Sequence, residues 1–189
     1  MKILVTGSNG LIGSGLCKYL LEKGHEVKGI DLSEGYDLAD EKMNDTMFKE
    51  NYQYNRLINL FAINDHVEKS KKGENSSILN YEVENLRTFC EINIIALFNT
   101  CRNFIRYSKS PKSIINLASL YGLVSPKHHI YNEPKDIGYT ISKHAVIGMS
   151  RHMATYFAKQ ELRINCVVPG GILFNQPKEF VDKYSKNTP

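Results

Sequence analysis

Along the chain, short unbroken apolar runs alternate with longer stretches in which apolar residues return every three or four positions. "KILVT", residues 2–6, is the first run; it ends in a glycine-rich turn, as a strand buried in a parallel sheet does. From Leu11 to Lys23 the residues Leu11, Ile12, Leu16, Leu20 and Leu21 recur at helical spacing, and Gly24 supplies the stop. "HEVKGID" reads as the second strand, and "RLINLFAI", "KSIINLAS" and "RINCVVPGG" as further buried strands. Helical patterns fill roughly 78–107 and 136–159, and the polar, lysine-rich 64–77 reads as a surface loop. The alternation predicts an α/β fold: one domain over 1–189, with a doubly wound, mostly parallel sheet covered on both faces.

Composition narrows the function classes. A hydrophobic share of 42% and a charged share of 23% fit a soluble globular domain, and the net charge of +4 is modest. The densest basic stretch, "EKSKKGEN", is interrupted by glutamates and lacks aromatic neighbours, so no nucleic-acid partner is expected. No run approaches the roughly 18 apolar residues of a membrane span. The N-terminus "MKILVTGSNG" is not a signal peptide, and the expected location is cytoplasmic. Cys17, Cys90, Cys101 and Cys166 form no CxxC and read as free thiols. His128 and His129 are adjacent, but no third ligand completes a metal set.

The first turn carries chemistry. Gly7, Gly10 and Gly13 fall in "TGSNGLIG", after a strand and at the opening of a helix. Such glycines let backbone approach a pyrophosphate, which rests on the helix N-terminal amides. The spacing is GxxGxxG rather than GxGxxG, so the general motif is not matched letter for letter. The candidate cofactor-binding residues here are Gly7, Ser8, Asn9, Gly10, Leu11, Ile12 and Gly13. Asp31 ends the second strand, where an acid accepts hydrogen bonds from the adenosine ribose. A carboxylate repels a 2′-phosphate, and neither Ser8 nor Asn9 offers a positive charge, so the expected cofactor is NAD rather than NADP.

Tyr139 and Lys143 stand four apart in "YTISK" and share a helix face. With the glycine turn and Asp31 in the same chain, the sequence resembles the short-chain dehydrogenase/reductase family over essentially its whole length. "INLAS", 115–119, looks like the family's fifth strand, which ends in a catalytic serine, here Ser119. "INIIALFNT" looks like the helix segment that supplies a catalytic asparagine, here Asn93. "RINCVVPGGI" resembles the sixth strand and the turn against the nicotinamide, giving Pro169, Gly170, Gly171 and Ile172. "DLAD", 37–40, resembles the segment that touches adenine, giving Asp37 and Leu38. "NLFA", 59–62, stands where the family has NNAG, giving Leu60 and Ala62. The resemblance implies a Rossmann fold and these roles: Tyr139 as general acid/base, and Lys143 lowering its pKa and binding the nicotinamide ribose. Ser119 would bond the substrate oxygen, and Asn93 would hold a relay water. The pairing makes chemical sense, since a free phenol with pKa about 10 is poorly matched to neutral pH and a nearby ammonium favours the phenolate.

Departures from the family pattern shape the rest. Asp31 and Asp37 are six apart, too close for the helix that usually joins strands two and three. The insertion "LYGLVSPKHHIYNEPKDIG" resembles a loop of sugar-modifying relatives and offers Lys127, His128, His129 and Tyr131 to a polar or anionic substrate. The leading expectation is an NAD-dependent oxidoreductase acting on a hydroxyl or keto group of a small molecule such as a sugar or sugar nucleotide. The alternatives are a nucleotide-sugar epimerase or dehydratase with bound NAD, and a non-catalytic NAD-binding module. The chain ends before a seventh strand, leaving 172–189 as a short lid. Pro177 favours a break and then a short helix, with Phe180, Val181 and Tyr184 on one face. That tail or a neighbouring molecule is expected to cover the edge of the sixth strand, and a homodimer to form through the 78–107 and 136–159 helices.

Overall fold

The computed structural model describes residues 1–64, 78–109, 111–131 and 135–187. Apart from Asn64, the expected loop at 64–77 lies outside the described residues. Five strands form one parallel sheet in the order β2-β1-β3-β4-β5: β1 (Lys2–Thr6), β2 (Glu26–Ile30), β3 (Arg56–Asn59), β4 (Lys112–Leu117) and β5 (Leu162–Val167). β1 coincides with the run that announced it, and the other four are shorter than theirs. β4 and β5 are the strands that resemble the family's fifth and sixth. The order reverses between β1 and β3, which opens a crevice beyond the carboxyl ends of the strands, where ligands of open α/β sheets bind.

Register explains the core. Leu4, Leu57, Ile114 and Ile164 align across β1, β3, β4 and β5, and all are buried. Against this row pack Phe48 of α2 (Glu41–Glu50), Phe104 of α4 (Leu97–Tyr107) and Val146 and Met153 of α5 (Ile137–Tyr156). Two residues nearer the site the aligned row turns polar. Thr6 Oγ1 donates to Asn59 Oδ1 (3.0 Å), Asn59 Nδ2 to Asn116 Oδ1 (2.8 Å), and Asn116 Nδ2 to Ser150 Oγ (2.9 Å). A buried ladder of this kind is stable only when its members are paired, so it pins the strands in register and α5 to the sheet.

Helix α1 (Leu11–Glu22) ends as expected, with Gly24 at φ 76° just beyond it. Between Asp31 and Asp37 there is no helix of ordinary length, only a 3-10 turn over Leu32–Glu34 capped by Asp31. Helix α2 follows and was not anticipated: its pattern is mostly polar and only Asn44, Met47 and Phe48 are buried. Its legible signal was Asp40, whose side chain caps it by accepting from Lys42 N and Met43 N.

The helix expected over 78–107 runs without interruption only from Val83 and carries a π-helical turn in its middle. A 3-10 turn (Ile78–Asn80) precedes α3 (Val83–Cys90), a π-helical turn covers Glu91–Ala96, and α4 follows. The π turn carries Asn93, a common association of such bulges with functional sites. Helix α6 (Lys178–Ser185) starts after Pro177, as the tail pattern implied. It does not run along β5, however. Phe180 packs on Tyr131 with ring centroids 5.1 Å apart, and Tyr184 reaches Gly171, so the tail lies over the strand ends. Among the described residues β5 pairs with β4 alone, and Arg163, Asn165 and Val167 on it are exposed. No described helix is long and apolar enough to cross a membrane.

Candidate active site

The glycine turn is shaped by close approach. Gly7 adopts φ 69° and its amide donates to Ile30 O (2.8 Å). A Cβ at Gly7 would lie 2.6 Å from Phe61 N, and one at Gly13 2.1 Å from Gly7 O. Backbone alone can therefore form this floor. Above it opens a cavity of about 280 Å³ whose walls include Gly7, Gly10, Asp31, Asp37, Leu38, Leu60 and Ala62 of the expected set. Tyr36, Phe61, Ile63 and Ile92 also line it and were missed, because apolar and aromatic wall residues carry no motif.

The other turn residues are not among those that line this cavity. Ser8 is buried, its Oγ without a hydrogen-bond partner, and Gly13 is buried beneath Gly7. Leu11 and Ile12 open α1. Asn9 clips the turn to the acid: its amide donates to Asp31 Oδ2 (2.9 Å) and its Nδ2 to Ser33 Oγ (2.9 Å). Asp31 Oδ1 receives Ser33 N (3.0 Å) and Ser33 Oγ (2.8 Å). Partial burial alone would raise the Asp31 pKa, but these donors outweigh it and hold the carboxyl below its usual range. A carboxylate offers about four acceptor positions; three are taken, which leaves room for a ribose hydroxyl. The turn, the cavity and this acid fit a dinucleotide.

A second cavity, of about 320 Å³, lies at the ends of β4 and β5. Ser119, Tyr139, Gly170, Gly171 and Ile172 line it, as does Tyr131. Pro169 stands behind, its carbonyl accepting from Leu120 N (2.9 Å). Lys127, His128 and His129, expected to face substrate, are exposed and do not line this cavity. The 3-10 turn His128–Ile130 buries Ile130, which turns the histidines outward, and Lys127 Nζ reaches Asn187 Oδ1 (3.2 Å). Tyr121, Lys135, Phe180 and Tyr184 line the cavity instead. The Tyr121 and Tyr131 hydroxyls share a short hydrogen bond, and Gly171 N donates to Tyr184 Oη (2.9 Å).

Tyr139 and Lys143 sit in the first turns of α5, whose N-cap Asp136 accepts from Gly138 N (2.6 Å). Lys143 is buried, with Nζ 5.6 Å from the Tyr139 ring centroid and donating to Leu117 O (3.0 Å). Burial lowers its pKa to about 8, against a smaller opposing effect of Cys166. The side-chain amide of Asn93 bonds to protein groups. Its Oδ1 accepts from Ile63 N (2.8 Å), and its Nδ2 donates to Ile63 O (3.0 Å) and Ser142 Oγ (3.0 Å). The amide thus fastens the end of β3 to α5 and holds Ile63 in the wall of the first cavity. The arrangement sets a phenol and a serine hydroxyl on the wall of one cavity with a buried ammonium behind them, next to the cavity above the glycine turn.

The family of enoyl-(acyl carrier protein) reductase matches residues 12–187. Protein CapI of Staphylococcus aureus is 25% identical over 166 residues, covering 82% of this chain and 49% of that protein, so this chain spans about half of its relative's length. A short-chain dehydrogenase from Leptospira borgpetersenii, solved with bound NAD+, superposes with TM-score 0.81 at 25% identity and covers 99% of this chain and 77% of its own. A short-chain dehydrogenase from Burkholderia cenocepacia in complex with NADP shares the fold, with TM-score 0.72 at 22% identity over 99% of this chain and 75% of its own. With the glycine turn, the Tyr139–Lys143 pair and a family match over almost its full length, the chain belongs to the short-chain dehydrogenase/reductase family.

Proposed function

We propose that the chain is an NAD-dependent oxidoreductase that interconverts a hydroxyl and a keto group on a small polar molecule, with a sugar or sugar nucleotide as the substrate class. The observation that carries this reading is the position of Tyr139: its ring lines the second cavity beside Ser119, while Lys143 is buried behind it. A nicotinamide bound at the strand ends would accept or donate the hydride. The chain's own groups handle the proton. Tyr139 takes it from the substrate hydroxyl during oxidation and returns it during reduction. Ser119 donates a hydrogen bond to the substrate oxygen, and the Lys143 ammonium favours the phenolate. Asn93 positions Ile63 in the cofactor cavity wall through its side-chain amide.

NAD is preferred over NADP because Asp31 stands where a 2′-phosphate would fall, as argued from the sequence. A sugar fits the hydroxyls of Tyr121, Tyr131 and Tyr184 and the ring faces around them, which together bond polar groups and cover C–H faces. A homodimer through α4 and α5 is supported by exposed Phe98 and Tyr156, which flank a groove between the two helices. The test is NADH production from NAD with a panel of sugars and sugar nucleotides, run beside Tyr139→Phe. Substrate-dependent NADH that the variant fails to make supports the reading; equal turnover by the variant contradicts it.

A further inference from the structure

Lys143 is not the only cation at the Tyr139 ring. Lys135 lies four residues before the tyrosine, ahead of the helix, and its Nζ is 4.5 Å from the Tyr139 ring centroid, closer than the 5.6 Å of Lys143. It is buried, at 9% exposure, and lines the second cavity with Ser119 and Tyr139. Its Nζ donates to Asn64 Oδ1 (2.7 Å), and Asn64 follows Ile63, which Asn93 fastens in the first cavity's wall. The lysine is therefore held in place by the segment that joins the two cavities.

The physics follows from the geometry. A cation over an aromatic face is attracted by the ring quadrupole. A phenolate spreads negative charge into that ring, so the attraction grows when the proton leaves. An opposite charge within roughly 4–6 Å favours the charged form, and a wall shielded from water screens the effect less than a surface does. The other titratable groups around Tyr139, among the described residues, come from several elements. Asp136 caps the helix, with Oδ1 accepting from Gly138 N and Tyr81 Oη (2.7 Å). Tyr121, Tyr131 and Tyr184 stand across the cavity, and Cys166 lies toward Lys143 from β5. Lys135 and Lys143 are the two cations of this set.

We propose that Lys135 is a positioning residue for the acid–base step: together with Lys143 it holds two positive charges at the Tyr139 ring and stabilises the phenolate. This rests on the reading of Tyr139 as the acid–base group. Removing the charge raises the pH at which the phenolate forms, and the rising limb of alcohol oxidation moves with it.

The test reads the phenol directly. The chain has 11 tyrosines and no tryptophan, so phenolate absorbance is free of indole background. Ultraviolet titration of the full chain against Tyr139→Phe isolates the step that belongs to Tyr139. It is repeated in Lys135→Gln, which keeps an amide donor for Asn64 but no charge, and in Lys135→Arg, which keeps the charge. The expected result is a step moved up by about one pH unit in Lys135→Gln and restored in Lys135→Arg. A step unmoved in a folded Lys135→Gln overturns the proposal and leaves the role of Tyr139 intact. The absence of any Tyr139-dependent step below the ordinary phenol range overturns both.

Discussion

At the scale of single residues, the chemistry was the most legible part. Tyr139, Ser119, Asp31, Gly7, Gly10, Gly170 and Gly171 occupy cavity walls where their motifs implied a site. The roles of Asn93, Ser8 and Asn9 were less readable. Whether an amide faces a ligand or ties backbone to backbone depends on what packs over it, and no local pattern encodes that. Lys135 was missed for the same reason: its neighbours Asn64 and Tyr139 come together only in the folded chain. Two expectations belong here. Tyr139→Phe lowers kcat by about 10²–10⁴-fold and leaves NADH affinity nearly unchanged, which steady-state kinetics and a fluorescence titration check together. Lys143→Met abolishes turnover yet stabilises the fold. The ordinary lysine value of 10.5 falls to about 8 on burial, so the unfolded chain binds the extra proton between those limits. The penalty is complete below pH 8 and gone above pH 10.5. Urea unfolding at pH 7 is expected to give the variant about 1–3 kcal/mol more stability, a gain that shrinks toward pH 10.5.

At the scale of elements, strands and their order of appearance were read correctly, and β1 to the residue, while the boundaries of the other strands were not. Apolar runs such as "RLINLFAI" continue past the last ladder pair because the residues after Asn59 line the cofactor cavity, and a cavity wall is as apolar as a strand. Helix α2 escaped notice because burial of three residues suffices when a neighbouring helix, α4, supplies the rest of the interface. There Asn44 Nδ2 donates to Thr100 Oγ1 (2.9 Å). The π turn at Glu91–Ala96 was hidden by good helical spacing on both sides. The glycines of α1 separate packing from propensity. Gly13→Ala forces a Cβ into Gly7 O and is expected to cost about 1–3 kcal/mol and to weaken NADH binding. Gly15→Ala, with nothing within 4 Å of its Cβ, is expected to gain about 0.5–1 kcal/mol and leave binding unchanged. Thermal unfolding and NADH titration of both variants decide whether the turn is built for close approach.

At the scale of the whole molecule, the sheet order brings the two cavities to the same strand ends, and the tail closes over the second rather than along β5. The tail helix was readable from Pro177 and the spacing of Phe180, Val181 and Tyr184; its destination was not, since the groups that receive it, the Tyr131 ring and the Gly171 amide, belong to two separate loops. Light scattering is expected to give a dimer mass that falls toward the monomer in Tyr156→Glu, since a charge in an apolar interface is costly. The proposed function stands on an NAD site formed by the glycine turn, Asp31 and the strand ends. The most direct measurement is a titration of NADH and NADPH into the chain, followed by nicotinamide fluorescence, in wild type and Asp31→Ala. The expected result is saturable binding, tighter for NADH, with the preference narrowed in the variant. Absence of binding by either dinucleotide, or equal or tighter binding of NADPH by wild type, would contradict it.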